Sequence, residues 1–243
     1  MTSLKAWIVL AAVLLGGAAG AAESDGTLKP FLARYQAKYG SLTVGDSVLE
    51  LKRDQQHGRW ILESRADARG LARLLTGDTL VQTSWLETDG HHVRPMRFRF
   101  DDGMTRSNED ISLDFDWPEA RVRGTAKGEN VDLELLPNAQ DPVSSQIDTM
   151  VRLLDGRNPE PFAMYDNHKK AKIYEWAYLG TERIETEAGA YDTVVYTNSR
   201  PGSDRATHMW LAPSLQYLAV QVESYRKGKR GFSMYLRKYR QGE

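Results

Sequence analysis

Few side chains in this 243-residue sequence have the chemistry to bind a metal, share a proton or attack a substrate, and their spacing scatters them. There are five histidines, His57, His91, His92, His168 and His208, and no cysteine. A metal site wants two or three ligands converging, often with a carboxylate. His91 and His92 are adjacent, so in a strand they face opposite ways, and they read as a solvated turn. His208, between Thr207 and Met209 and on the same face as Trp210, reads as a hydrogen-bonded sheet residue. The acidic pairs Asp101-Asp102 and Glu109-Asp110 could do acid–base work only if two carboxylates met in a cleft. Both fall in turn-like sequence and are expected to be solvated. There is no Gly-x-Ser-x-Gly elbow or phosphate-cradling glycine loop, and Ser144-Ser145 sits where a helix's first turn uses serine as a cap. No catalytic residue, metal or cofactor is assigned, and the expectation is a protein that is not an enzyme. The alternative, a hydrolase with a site assembled from distant loops, would leave no local motif.

The aromatic residues say more. In 172–179, Tyr174, Trp176 and Tyr178 line one face, while Ile173, Ala177 and Leu179, with Glu175 among them, line the other, so both faces read as partly covered. Such a strand suits a sheet that curls, its inner face either a filled core or the lining of a ligand cavity. The C-terminal segment carries Arg226, Lys227, Lys229, Arg230, Arg237, Lys238 and Arg240. These residues read as a charged edge hairpin guarded against strand addition, or as a contact for anionic lipid or a partner through Arg226, Lys227, Lys229 and Arg230.

The elements that would position these groups are mostly strands. Sequence 111–117 alternates four apolar with three polar side chains, one dry face and one wet. Similar text at 44–52, 59–65, 79–88, 93–100, 121–125, 131–135 and 190–197 is joined by Gly, Asp and Asn turns, which implies an antiparallel sheet. Residues 70–75 resemble one or two helical turns. The period changes at Asp141. With Asp141 as cap and Pro142 in the first turn, Ile147, Met150, Val151 and Leu154 fall on one stripe of a helix over 142–155, ended by Gly156. That stripe must bury itself against the sheet, so these four residues are placed with Tyr174, Trp176, Tyr178 and Trp210 as candidate lining of any cavity.

Residues 1–22 carry Lys5, an uncharged stretch and then small residues, the pattern of a cleaved secretory signal whose apolar run is too short to be a membrane span. No later segment is apolar enough to cross a bilayer. Residues 23–243 then form a single domain, periplasmic and monomeric by expectation. Acidic and basic residues nearly balance at 33 and 32, so long-range attraction to nucleic acid is not expected. An exported chain without cysteine can use neither disulfides nor thiolate sites and must rely on its core.

Asp141-Pro142-Val143-Ser144 at a helix start, Glu185-Thr186-Glu187-Ala188-Gly189-Ala190-Tyr191-Asp192-Thr193 in a hairpin, and Trp210-Leu211-Ala212-Pro213 followed by Tyr217-Leu218-Ala219-Val220 resemble the bacterial exported proteins grouped as domain of unknown function 3108. Tyr35, Tyr39, Gly40 and Gly45 resemble that family's first hairpin. Ala219 departs from it, standing where the family usually has proline. The resemblance implies an envelope protein that is mainly β with one principal α-helix. The sheet would be a single curved antiparallel one or an open β-barrel with the helix packed on it, similar to the lipoprotein-carrier fold. It brings no catalytic residues. The functional expectation is a binding or chaperone-like module holding a lipid or other apolar ligand in a trough. The alternative is an interaction protein docking on an envelope complex through its basic C-terminal hairpin.

Overall fold

The computed structural model describes residues 27–69, 79–104 and 109–242. The expected leader and the helical turns expected at 70–75 lie outside them.

The chain begins with eight strands: β1 (Phe31–Tyr39), β2 (Leu42–Asp54), β3 (Arg59–Ala68), β4 (Thr79–Thr88), β5 (Val93–Asp101), β6 (Ile111–Asp116), β7 (Arg121–Ala126) and β8 (Glu129–Glu134). The short β9 (Ala139–Gln140) and helix α1 (Ser144–Leu154) follow. Six more strands complete it: β10 (Phe162–Met164), β11 (Lys172–Thr186), β12 (Gly189–Ser199), β13 (Arg205–Ala212), β14 (Leu218–Arg226) and β15 (Lys229–Gln241). All belong to one curved open sheet in the order β8-β7-β6-β5-β4-β3-β2-β1-β15-β14-β13-β12-β11-β10-β9. The chain winds outward from the central β1 to one edge, crosses to the other, and returns to lay β15 against β1. Among the described residues only β9 and β10 pair in parallel; the alternating half-wet strands pair antiparallel, as their pattern implies.

The alternation decides the two faces. Leu51, Leu62, Leu86, Phe98, Leu113 and Val122 point inward and are at most 1% exposed. The outer face carries cross-strand ion pairs such as Arg97–Asp114 at 2.6 Å and Arg123–Asp116 at 3.1 Å. These are solvent-screened and contribute about 0–1 kcal/mol each. Gly124 in β7 has φ +145, and a Cβ there would lie 1.9 Å from the Ser112 carbonyl oxygen of β6. Gly124→Ala is expected to lower stability by about 2 kcal/mol or more, read from the urea midpoint, because both φ and the neighbouring backbone exclude a side chain.

Helix α1 plugs the half of the sheet built from β1–β8. It is shorter than the span 142–155, because residues 142 and 143 form a turn and Val143 is its N-cap, yet Asp141 still binds amides at the helix start. Its Oδ1 accepts the backbone N–H groups of Val143 at 2.9 Å and Ser144 at 2.8 Å, and its Oδ2 accepts the Ser84 hydroxyl at 2.6 Å. Ile147, Met150 and Val151 are buried, and Leu154 is half-buried. On the polar side, Arg152 is buried too, paired with Asp148 at 2.7 Å and with Glu160 at 3.0 Å. After the helix, Tyr165 donates to the Glu134 carbonyl and accepts the Leu136 N–H, with its ring edge-on to Phe115. These contacts fasten the crossing segment inside the curl.

In the other half, 172–179 and 181–186 prove to be one fifteen-residue strand, β11. Its register slips between Tyr178 and Gly180, where Gly180 takes φ +125. The two-sided cover expected for this strand is corrected: Ile173 and Leu179 are 43% and 50% exposed, and Glu175 and Ala177 are exposed, so only the Tyr174 side meets other residues. Ala219 sits within β14, 1% exposed, and its carbonyl accepts the Tyr35 hydroxyl. Among the described residues, no helix is long and apolar enough to cross a membrane.

Candidate functional site

Strand parity defines a trough. Across β11–β15 and β1, the inward side chains form two consecutive rows, because residues two apart share a face and sit about 7 Å apart along the strand. One row runs from Tyr178 through Tyr196, Met209, Val222 and Met234 to Ala37; the next runs from Trp176 through Asn198, Thr207 and Ser224 to Phe232. This face is continuous with the dry interior of the other half, since Tyr35 pairs with Leu236 of β15 on one side and with Ser47 of β2 on the other. Helix α1 covers only the first half, so Trp176, Met209, Val222 and Met234 remain half-buried.

Three spaces open along the trough. Trp176, Met209, Val222, Met234 and Tyr35, with Pro142, Val143, Ser145 and Gln146 at the helix start, border about 200 Å³ of mostly apolar space. That is less than the roughly 300 Å³ at which small-molecule sites begin. Larger volumes lie at its ends. Trp176, Tyr178, Tyr196, Asn158 and Pro159 border about 330 Å³. The second row leads to about 490 Å³ bordered by Arg200, Arg205 and Arg226.

The aromatic stripe is brought together as the sequence suggests. Tyr174 stacks on Phe162 at 5.5 Å, Trp176 lies 6.1 Å from Phe162 and edge-on to Tyr196, and Tyr178 lies 5.3 Å from Tyr196. Trp210 does not join it. Val195 opposite Trp210 and Tyr196 opposite Met209 are successive cross-strand pairs, so Trp210 faces the other side, where its indole donates to Glu182 at 2.7 Å. The helical stripe also needs correction as cavity lining. Ile147 and Met150 are fully enclosed in packed core, and Val151 and Leu154 border a separate space of about 170 Å³ beside Trp60. The helix residues that do meet the trough precede that stripe.

The basic hairpin divides. Arg230 donates to Glu223 at 2.7 Å, and Glu223 is 3% exposed and also receives Gln221 and Tyr225. The Tyr225 hydroxyl, bonded to that carboxylate, is pushed up to about 12. Arg230 is therefore committed to a structural network. Lys227 and Lys229 are exposed at the turn. Arg226 is only loosely paired with Asp204, at 3.8 Å, and borders the 490 Å³ space.

Among the described residues, the histidines do not converge on one another. His91 meets Asp155 at 2.9 Å, while His92 meets Asp89 at 3.6 Å. The ring of His208 packs on Tyr225 at 4.4 Å, and the carboxylate of its cross-strand neighbour Glu223 is taken by other donors. Asp101, Asp102 and Asp110 bring their carboxylates within 4.8 Å of one another, and Asp102 is buried rather than solvated, its backbone N–H bonded to Asp110. What the sequence reading missed is the polar end of the trough. Asn198 and Thr207 stand two residues from Tyr196 and Met209, and that period-two link was the available signal.

The family model described as "Protein of unknown function (DUF3108)" matches residues 34–236. No curated protein matches the sequence. The chain is similar in structure to a beta-barrel-like protein of domain of unknown function DUF1849 from Brucella abortus, with TM-score 0.58 and 12% identity, covering 89% of this chain and 99% of that one. At that identity the likeness shows the fold, a mainly β curved sheet. Two looser likenesses carry no further argument. One is to a Bacteroides fragilis protein with a YmcC-like fold, with TM-score 0.38, 10% identity and coverage of 88% and 97%. The other is to the Pseudomonas aeruginosa MucA/MucB complex, with TM-score 0.40, 10% identity and coverage of 90% and 53%.

Proposed function

The chain belongs to the DUF3108 family, and from that premise we propose that it is a non-enzymatic binding module of the bacterial envelope that holds the apolar part of a ligand in the trough. The observation that carries this reading is the unequal cover of one continuous face. Beneath α1 it is dry and close-packed, whereas along β11–β15 Trp176, Met209, Val222 and Met234 stay half-open. A soluble protein rarely leaves contiguous apolar side chains facing a concavity unless something occupies it. The export-signal pattern of residues 1–22 supports an extracytoplasmic location. Docking through the basic hairpin is less favoured, because Arg230 is already bound to Glu223.

Native mass spectrometry with solvent extraction of the protein purified from the periplasm tests the reading. The expected result is a co-purifying apolar molecule that is lost in Met209→Glu, where a charge enters a half-buried trough position, and kept in Ile173→Glu on the opposite exposed face. An empty wild-type protein, or retention in Met209→Glu, overturns it.

A further inference from the structure

Resting on the trough reading, we propose that the ligand is a single-chain anionic amphiphile, its phosphate or carboxylate head held at the basic end by Arg200, Arg205 and Asn198 and its tail laid along Trp176, Met209 and Val222.

The end of the trough is built differently from its middle. Four cations, Lys172, Arg200, Arg205 and Arg226, border the 490 Å³ space. Two are engaged: Lys172 holds Asp166 at 2.6 Å, and Arg226 leans toward Asp204 at 3.8 Å. Among the described residues, the guanidinium groups of Arg200 and Arg205 make no ion pair or hydrogen bond, whereas Arg59, Arg97, Arg121, Arg123 and Arg183 pair with carboxylates on neighbouring strands. Between them and the apolar row lies Asn198, 8% exposed, whose side-chain amide has no hydrogen-bond partner among the described residues. The amide's polar atoms face that open space, where a ligand oxygen would take the place of water. Guanidinium forks suit planar or tetrahedral oxyanions, and the pair would supply charge-assisted bonds on the open side.

Charge alone would also suit a free anion. The strand period argues for a tail. Thr207 is followed two residues along the same strand and face by Met209, and Ser224 is preceded by Val222, while Tyr174 and Phe232 continue the face into Trp176 and Met234. A head at Asn198 therefore directs a chain into the apolar row, one strand repeat of about 7 Å away.

Isothermal titration calorimetry below the micelle concentration tests this with three probes: dodecyl phosphate, dodecyl maltoside with the same tail and a neutral head, and inorganic phosphate. Dodecyl phosphate is expected to bind at least roughly tenfold more tightly than either of the others, to weaken with salt, and to lose roughly tenfold in affinity in Arg200→Gln/Arg205→Gln, while dodecyl maltoside is unaffected by that double change. Equal affinity for the two dodecyl probes overturns the head-group inference and leaves the trough reading standing. Inorganic phosphate binding as tightly as dodecyl phosphate overturns it in favour of a free-anion site. No binding of either dodecyl probe overturns both. Circular dichroism of the double variant confirms its fold, since both arginines are at the surface of the turn and strand end.

Discussion

Arg152→Ala is expected to destabilise the protein by about 3–5 kcal/mol, the largest effect of any single change considered, and replacing both partners should undo most of it. Arg152 is 1% exposed and joins three segments: Asp148 on its own helix, Asn138 before β9, and Glu160 before β10. Truncating it leaves Asp148, 6% exposed, as an uncompensated buried carboxylate. Burial already raises the Asp148 pKa, and Arg152 is the main influence opposing it. In the variant that opposition is gone. A carboxyl raised in the folded state binds its proton more tightly there than in the unfolded chain, so the deficit should shrink as pH falls and grow as pH rises through the folded value. The double change Arg152→Met/Asp148→Leu removes both charges and keeps volume, and is expected to recover to within about 1–2 kcal/mol of the parent. Urea unfolding over a range of pH measures all three. A deficit in Arg152→Ala below about 1 kcal/mol, or one that does not change with pH, would show that the pair does not hold the crossing segment.

Asp141→Ala is the second, expected at about 2–4 kcal/mol. Its carboxylate is fully buried and serves Ser84 as well as the helix start, so truncation leaves a buried hydroxyl and two buried N–H groups without an acceptor. Burial pushes Asp141 up to about 6, against the downward pull of the hydrogen bonds from Ser84, Ser144 and Val143. Because the folded value lies above the unfolded one, the folded chain holds the proton longer, and the stability tied to protonated Asp141 is lost as pH climbs from roughly 4 to about 6, by up to about 3 kcal/mol. Asp141→Asn can keep accepting from Val143 and Ser144 while its amide donates to Ser84. It should stay within about 1 kcal/mol of the parent at neutral pH and flatten that slope; an unchanged slope would assign the titration to another group.

How far the sequence foretold this molecule depended on how local each signal was. Ile111, Leu113 and Phe115 alternate with Ser112, Asp114 and Asp116, and that spacing alone specifies one dry face, which the structure has. Asp141-Pro142 and Gly156 bracket the helix to within two residues, because caps act on adjacent backbone. Asp148 and Arg152 escaped notice since an i, i+4 pair on a polar helix face looks solvated; what buries it is β9 and the 158–161 segment, distant in the reading. Trp210 was assigned to the trough on the wrong parity, the odd–even relation across β12 and β13 being set by pairing that the sequence does not state. The basic end is non-local in the same way: Asn198, Arg205 and Tyr174 come from three strands, and only register makes them neighbours.

The pairing of β1 with β15 sets the order in which the molecule can be completed. Phe31 lies opposite Gln241, and the Gly242 N–H donates to the Pro30 carbonyl at 2.8 Å. The middle of the sheet is thus closed by its earliest and latest strands, and a growing chain keeps one edge of β1 unpaired until the thirteen residues of β15 are available. Loss of those residues would open two edges at the centre, β1 and β14, and expose the Tyr35 side of the trough. Assembly therefore ends with a pairing separated by nearly the whole chain, which favours slow closure and a long-lived exposed edge while the protein is incomplete.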